Sequence, residues 1–303
     1  MKIGFVSAIL DDWDFDGVLD VAEKYGFDCI EVACWPHAKA ERRYAGVSHI
    51  DTESLDDDAV RMIKEKLKKK GIAISALAYY PNPLDSDPEK RNATIVHLKS
   101  VIEAAEKLDV NLVTTFIGRD QTKNIEDNLK LVEEVWPPII NYAEKKGVKI
   151  AIENCPMLFG PEQWPGGQNL FCTPVLWRKI LSILDSPNLG INYDPSHFIW
   201  QQMDYIRPIY EFRKKIFHVH FKDMKIKEDV LRETGILSYP LDYMSPKIPG
   251  LGDVDWGKFV SALTDIGYDG FACIEVEDRS FESSREAVLK SLELSKRYLS
   301  QYV

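Results

Sequence analysis

The stretch Gly190–His197 reads GINYDPSH and decides how the rest of the chain is interpreted. Apolar and polar residues alternate up to Asp194, and Pro195 disfavours helical geometry at the residue before it. The pattern therefore predicts a β-strand that ends at Asp194, with His197 in the loop just beyond. A carboxylate and an imidazole at the end of a strand can bind a divalent metal or transfer protons, although Asp-Pro is also an ordinary turn opener.

Length and composition indicate a protein with a large core. The chain has 303 residues, of which 45% are hydrophobic and 28% are charged, which suits an α/β barrel. The formal net charge of −10 repels phosphate backbones, so nucleic acid is not expected as a partner. The five cysteines form no CxxC pair, and the N-terminus reads as a strand rather than a signal peptide or membrane span. These features predict a cytoplasmic protein with no membrane partner.

Predicted strands and helices alternate along the whole chain. The helices carry recognisable end signals, such as Gly26 after the first and Gly71 after the second. The predicted strands are Lys2–Val6, Cys29–Ala33, Ile72–Ala78, Leu112–Phe116, Val148–Glu153, Leu189–Asp194, Ile216–Phe221 and Phe271–Val276. Eight strand–helix units predict a single-domain (β/α)8 TIM barrel over residues 1–303, with a long loop at 224–248 that can act as a lid. A doubly wound open sheet is the alternative, but no glycine-rich phosphate-binding sequence follows the first strand.

Four charged residues stand at the ends of four consecutive predicted strands. Glu153, Asp194, His220 and Glu275 end strands five to eight, and a TIM barrel collects its catalytic residues at this end. Three carboxylates facing one cavity would repel each other unless a cation neutralised them. Three oxygens and one nitrogen suit Mn²⁺, the expected ion, or Co²⁺, Mg²⁺ or Zn²⁺. The sequence therefore predicts one divalent metal held by these four residues. The alternative to a shared metal is that each of the four residues forms its own salt bridge at the base of its loop.

The four strand-end residues, with His197 three positions after Asp194, resemble the xylose isomerase-like superfamily. Its members include ketose 3-epimerases, inosose dehydratase and the endonuclease IV enzymes. The resemblance covers nearly the whole chain and is strongest over Ile248–Asp278, IPGLGDVDWGKFVSALTDIGYDGFACIEVED. It implies that the four residues bind one divalent metal and that His197 contacts a substrate oxygen. It also implies a small carbohydrate substrate and a homo-oligomer, either a dimer or a tetramer.

Departures from the family pattern separate its branches. The endonuclease branch requires additional zinc-binding histidines, and the matching stretches Ala78–Pro83, Thr115–Asp120 and Gly252–Trp256 contain none. DNA repair is therefore disfavoured. The ketose epimerases carry an arginine a few residues beyond the histidine of strand seven. The nearby cation here is Lys222, which lies two positions after His220. Its side chain should therefore face the cavity as that of His220 does, and it is expected to contact substrate. The ammonium group of a lysine is a mobile point charge, whereas the guanidinium group of an arginine is planar and rigid. The substrate is therefore expected to bind in a different orientation.

The expected chemistry is proton transfer next to a metal-chelated carbonyl. Chelation of a substrate carbonyl and an adjacent hydroxyl stabilises an enediolate, and Glu153 and Glu275 would remove and return the proton on opposite faces of the sugar. The prediction is a metal-dependent sugar or sugar-phosphate isomerase or epimerase of carbohydrate metabolism. The same residues allow an inosose-type dehydratase or a keto-sugar lyase, and a non-catalytic sugar-binding barrel is a further alternative. The identity of the sugar, its phosphorylation and the metal stay open at this level.

Several other residues carry weaker expectations. Trp35 is expected to contact substrate from the loop after the second strand. The loop residues His37, Trp164 and Trp200 are expected on the same face, and ordinary loop packing is the alternative for each of the four. Glu31 ends the second strand. The sequence supports two roles for it equally, an acid that faces the cavity and a salt bridge at the base of the loop. His218 shares the parity of His220 but lies one layer deeper, which predicts a hydrogen-bonded core histidine.

Overall fold

The computed structural model describes residues 1–36, 45–158 and 160–303, so the predicted loop residue His37 lies outside the described residues. The described strands are β1 (Lys2–Val6), β2 (Cys29–Ala33), β3 (Ala73–Ala78), β4 (Leu112–Thr115), β5 (Lys149–Glu153), β6 (Leu189–Tyr193), β7 (Ile216–Phe221), β8 (Asp223–Ile226), β9 (Met244–Lys247) and β10 (Phe271–Ile274). Eight of them close into a parallel barrel in the order β1-β10-β7-β6-β5-β4-β3-β2. The predicted TIM barrel is confirmed, with the last barrel strand, β10, completing the ring beside β1.

Helices surround the barrel, and the first two end at the predicted glycines, Gly26 and Gly71. The described α-helices are α1 (Phe15–Tyr25), α2 (Asp57–Lys70), α3 (Pro88–Lys107), α4 (Ile125–Lys145), α5 (Pro174–Leu184), α6 (Ser196–Trp200), α7 (Arg207–Glu211), α8 (Glu228–Thr234), α9 (Pro240–Tyr243), α10 (Trp256–Asp265) and α11 (Arg285–Leu299). The Asp14 side chain accepts a hydrogen bond from the Gly17 amide at the start of α1, and Gly26 closes the same helix with a φ of 67°. Among the described residues, no helix has the length and apolar character needed to cross a bilayer.

The strands present alternate residues to the helices and to the barrel interior. Tyr193 of β6 faces outward, and its ring centroid lies 5.6 Å from that of Trp177 in α5 and 5.4 Å from that of Phe198 in α6. The preceding residue, Asn192, faces inward. Deeper in the barrel, Ala76, Leu112 and Ala151 pack in a small apolar cluster. The polar interior residues therefore stand above an apolar base, toward the carboxyl ends of the strands.

The structure corrects the prediction that His197 lies in a loop. It lies instead in the short helix α6, which begins directly after the Asp194–Pro195 turn. The Oδ1 atom of Asp194 accepts a hydrogen bond from the Ser196 amide at 2.8 Å, which starts the helical turn. The helix that follows, α7, is equally short and covers only Arg207–Glu211.

The segment 224–248, predicted as one long loop, is largely built of regular elements. Strand β8 pairs antiparallel with β9, and helices α8 and α9 lie between them. Asp223 ties both ends of the segment together, because its carboxylate accepts hydrogen bonds from the amides of Met224, Gly250 and Val254 and from the indole of Trp256. No local sequence signal reveals this carboxylate clasp. The predicted role of the segment as a lid stays a prediction.

Candidate active site

Four side chains from four neighbouring barrel strands converge at the carboxyl end of the barrel. Glu153 ends β5, His220 lies in β7, and Asp194 and Glu275 directly follow β6 and β10. One ligand atom from each residue lies within 4.8 Å of the other three. The Nδ1 atom of His220 is 3.4 Å from Glu153 Oε1 and 3.4 Å from Glu275 Oε2. The structure thus brings together all four residues that the sequence predicts as metal ligands.

The four atoms at the centre of this cluster share an unusual hydrogen-bonding state. Within the part of the chain that the structure describes, Glu153 Oε1, Asp194 Oδ2, His220 Nδ1 and Glu275 Oε2 are buried and have no hydrogen-bond partner. Buried polar atoms without a partner are costly and rare in folded proteins. A divalent cation would satisfy all four at once, and a set of three oxygens and one nitrogen is one that Mn²⁺, Co²⁺ and Zn²⁺ accept. The donor set therefore fits a divalent metal.

Lys222 supplies a positive charge at the edge of the cluster. Its side chain is 2% exposed, and its Nζ atom lies 2.7 Å from Glu275 Oε2, 3.1 Å from Glu277 Oε2 and 3.3 Å from Asp194 Oδ2. The contact with Glu275 is an ion pair that lacks the angles of a hydrogen bond. Burial alone would lower the pKa of Lys222, but the carboxylates, Glu275 first, raise it well above its ordinary value. The lysine is therefore held as an ammonium ion among carboxylates.

The carboxyl groups of the cluster do not share one electrostatic environment. Burial and the charge of Glu275 raise the pKa of Glu153. Burial would also raise the pKa of Glu275, but Lys222 and His220 lower it strongly. In the same way, the charges of Lys222 and His197 outweigh burial and lower the pKa of Asp194. Glu275 and Asp194 therefore stand nearest to compensating positive charge, and Glu153 is the least compensated.

His197 stands beside the cluster. Its side chain is 7% exposed, and its Nε2 atom is 3.2 Å from Asp194 Oδ2 and 3.8 Å from Glu153 Oε1. Neither ring nitrogen has a hydrogen-bond partner among the residues that the structure describes. The residue also lines the cavity described below.

A cavity of about 700 Å³ opens above the cluster, and Glu153, Glu275 and Lys222 line it together with His197. Trp35, predicted to contact substrate, lies in the cavity wall. Another part of the wall is apolar, and the residues of α6, α9 and the β8–β9 pair that form it are Trp200, Met224, Leu241 and Met244. The volume falls in the range of roughly 300–1,000 Å³ that is usual for small-molecule sites.

A buried hydrogen-bond network lies behind His220, and sequence reasoning largely missed it. Glu31 of β2 is fully buried, and its Oε2 atom is 2.7 Å from His220 Nε2. Its Oε1 atom accepts hydrogen bonds from the hydroxyls of Tyr80, at 2.5 Å, and Thr114, at 2.7 Å. Burial alone would raise the pKa of Glu31, but the charges of His220 and His218 lower it to about 2.

The rest of the network involves Asn192 and His218. The Nδ1 atom of His218 is 3.0 Å from Asn192 Oδ1, and its Nε2 atom is 3.1 Å from Ser75 Oγ, so His218 is the hydrogen-bonded core histidine that parity predicts. The inward parity that Asn192 shares with Asp194 is the one sequence signal that could have placed it here.

Comparisons with known proteins identify the family. A family model described as the xylose isomerase-like TIM barrel matches residues 19–298, so the chain belongs to the xylose isomerase-like TIM barrel family. The chain is 26% identical to the uncharacterized protein YfiH of Bacillus subtilis (strain 168), over 99% of this chain and 100% of that protein. It is 23% identical to inosose isomerase of Bacillus velezensis, over 100% of this chain and 98% of that protein.

Solved structures agree with the fold. The structure of the IolI protein with a bound zinc atom matches with a TM-score of 0.73 at 22% identity, over 100% of this chain and 99% of that one. D-psicose 3-epimerase from Clostridium cellulolyticum H10, solved with D-tagatose, matches with a TM-score of 0.69 at 17% identity, over 100% of this chain and 99% of that one. At these identities the likeness establishes the fold and leaves the reaction to be argued from the site.

Proposed function

We propose that this protein is a divalent-metal-dependent isomerase or epimerase of a small keto sugar, sugar phosphate or inosose. The observation that carries the proposal is the convergence of four buried atoms that have no hydrogen-bond partner among the described residues, Glu153 Oε1, Asp194 Oδ2, His220 Nδ1 and Glu275 Oε2. Two members of the cluster, Glu153 and Glu275, line a cavity of suitable size for such a molecule. The names of family relatives, among them inosose isomerase and D-psicose 3-epimerase, support the same class of substrate.

The four residues would hold one divalent cation, for which Mn²⁺ is our first choice and the zinc of IolI supports Zn²⁺ as the second. When bound, a divalent cation withdraws electron density from a substrate carbonyl and acidifies the neighbouring C–H bond. The residues around it provide the proton transfers and the binding contacts.

Glu153 and Glu275 are the proposed acid–base pair. Their strands, β5 and β10, are separated in the barrel by β6 and β7, so the two carboxylates reach the cavity from different sides. Each residue contributes one oxygen to the cluster and keeps a second oxygen for the substrate. One carboxylate takes the proton from a sugar carbon and the other returns a proton to the opposite face, which inverts that carbon. Return of the proton to the adjacent carbon gives aldose–ketose isomerisation instead.

His197, Lys222 and Trp35 are the proposed substrate contacts. The imidazole and the ammonium group donate hydrogen bonds to substrate oxygens next to the reacting carbon, and the indole packs against the sugar ring. The strong positive charge of Lys222 would also stabilise negative charge that develops on the substrate during proton removal. We therefore assign these three residues to orientation and charge stabilisation rather than to proton removal.

Solvent exchange tests the proposal directly. The protein is stripped with a chelator, reloaded with Mn²⁺ or Zn²⁺, and incubated in D₂O with a panel of ketoses, ketose phosphates and inososes. We expect deuterium to enter at the carbon next to the carbonyl of at least one substrate only after reloading, and we expect Glu275→Gln to abolish it. Asp120→Asn is the matched control, because Asp120 is a buried carboxylate outside the cavity lining. Absence of exchange with every compound in the reloaded protein would overturn the proposal.

The products decide between the reactions that this site allows. Exchange with a changed sugar configuration identifies an epimerase, and exchange with a shifted carbonyl identifies an isomerase. Exchange followed by loss of water identifies a dehydratase, the second reaction in this family by the names of relatives such as the inosose dehydratase of Clostridium tetani. Tight sugar binding without any exchange would identify a non-catalytic sugar-binding barrel and would refute the proposed reaction.

A further inference from the structure

We infer that Glu31 is a positioning residue that holds His220 with its Nδ1 atom directed at the metal position. This inference rests on the proposed function, because it takes His220 to be a metal ligand. Glu31 does not line the cavity and would touch neither metal nor substrate. It would act through the imidazole, by accepting the proton on Nε2 and so leaving Nδ1 as the nitrogen that donates to the cation.

The contacts around Glu31 leave one of its carboxylate oxygens, Oε2, available to accept a proton from a histidine. Its Oε1 atom already accepts two hydroxyl hydrogen bonds, from Tyr80 and Thr114. Its Oε2 atom lies 2.7 Å from His220 Nε2 and 3.6 Å from His218 Nδ1, a distance beyond that of a hydrogen bond. His218 is in any case occupied by Asn192 and Ser75. The carboxylate is therefore built to receive a single imidazole proton, that of His220.

A second possible partner of His220 Nε2 is the side-chain amide of Asn192, whose Nδ2 atom is 3.0 Å away. If that amide donated to a bare Nε2, two lone pairs would face each other across 2.7 Å between His220 and Glu31, which is repulsive. The amide has another acceptor, the hydroxyl of Tyr80 at 3.0 Å. The arrangement with the proton on Nε2, donated to Glu31, satisfies every one of these groups.

The placement of Glu31 in the fold makes it a rigid support. It lies in β2 and reaches across the barrel interior to β7, a strand that β1 and β10 separate from it. Hydroxyls from β4 and from the residues after β3 fix the carboxylate, so its position is set by several strands at once. A carboxylate behind a metal-binding histidine orients the ring and raises its basicity, and loss of such a group lowers metal affinity by about 10- to 100-fold.

The zinc affinities of the wild type and three variants test the inference. Wild type, Glu31→Gln, Glu31→Leu and Asp194→Asn are stripped of metal, checked for folding by circular dichroism, and titrated with Zn²⁺ against a chromophoric chelator. We expect Glu31→Leu to bind Zn²⁺ about 10- to 100-fold more weakly than wild type. Glu31→Gln should lie between them, since its amide oxygen can still accept the proton. Unchanged zinc affinity in Glu31→Leu, with a clear loss in Asp194→Asn, would overturn the inference while leaving the proposed metal site intact.

The two failures are thereby distinguishable, because unchanged affinity in Asp194→Asn would instead refute the proposed metal site. A second measurement covers the case in which Glu31→Leu does not fold. In the zinc-loaded wild type and in Glu31→Gln, ¹⁵N NMR of the histidine side chains should show a proton on Nε2 of His220 and none on Nδ1. A proton on Nδ1, with zinc on Nε2, would overturn the inference.

Discussion

Replacing Lys222 with methionine removes the buried positive charge beside the metal cluster while keeping most of the side-chain volume. The Nζ atom contacts Glu275, Glu277 and Asp194 at 2.7, 3.1 and 3.3 Å, and the lysine and Asp194 side chains are almost completely buried. Without metal, this ammonium group is the closest compensating charge for Glu275, and it shares the compensation of Asp194 with His197. We therefore expect Lys222→Met to destabilise the metal-free protein and to bind metal more tightly.

The structure sets the expected size of both effects. At an effective dielectric constant of about 20, each of the three contacts has a gross Coulomb energy of roughly 5–6 kcal/mol, and the cost of burying the ammonium group offsets much of that sum. Removal of one partner from a buried ion pair costs about 3–5 kcal/mol, which is the expected loss in free energy of unfolding. A cation then meets less repulsion, so its affinity should rise by at least about tenfold, or about 1.4 kcal/mol.

Urea unfolding with and without saturating Mn²⁺ measures both quantities. The loss caused by Lys222→Met should be smaller with metal than without it, because the bound ion replaces the missing charge and stabilises the native state through its affinity. Lys225→Met is the matched control, since Lys225 is an exposed lysine in the same segment. Equal stability of the metal-free variant and wild type would refute the charge argument. Weaker metal binding by the variant would show that Lys222 supports the ligands rather than competing with the ion.

Three further predictions follow from buried polar groups. Asp223→Asn should lower the free energy of unfolding, measured by urea titration, by about 1–3 kcal/mol. The reason is that the Asp223 carboxylate accepts four hydrogen bonds around the segment 224–248. An unchanged free energy of unfolding would show that these bonds add no stability. Tyr80→Phe removes one hydroxyl donor of Glu31, so zinc affinity should fall less than in Glu31→Leu, and an equal or larger fall would contradict that order. Burial would raise the pKa of Asp120, but hydrogen bonds from Lys123 and Thr122 lower it. A carboxyl group whose pKa is lower in the folded state contributes stability above its unfolded pKa and loses it as the pH falls through its folded pKa. The stability gap between wild type and Asp120→Asn should therefore be full at neutral pH and close in acid, and a gap independent of pH would refute this assignment.

The barrel was predictable because its signals are local and repeated. Strand β7 was predicted with its observed bounds, and β5 and β6 end within one residue of the predicted positions. Apolar runs closed by a charged residue mark the strand ends, and in a parallel barrel all these ends meet on one face. Glu153 and Glu275 could therefore be placed together although they lie 122 positions apart in the sequence.

The contacts that no local signal marks were harder to predict. The one-turn helix α6 follows an Asp-Pro turn in which the Asp194 carboxylate accepts a hydrogen bond from the Ser196 amide, and the same residues are equally typical of an ordinary turn. The clasp of Asp223 joins residues about 30 positions apart, and Glu31 meets His220 across 189 positions. Sequence parity shows that such a side chain faces inward, but the partner depends on strand stagger and on the bulge between β2 and β3.

The layer beneath the cluster strengthens the case that the cluster is a metal site. Glu31, Thr114, Asn192, His218 and Ser75 are all buried polar residues of the barrel interior, and none of them has an unpartnered buried side-chain atom among the described residues. One layer higher, Glu153, Asp194, His220 and Glu275 each have one buried atom without a hydrogen-bond partner among the described residues. Poor packing would not leave one such atom on each of four residues and bring all four within 4.8 Å of one another. Ligands for a cation require that arrangement, with their supporting groups satisfied from behind and their donor atoms kept available.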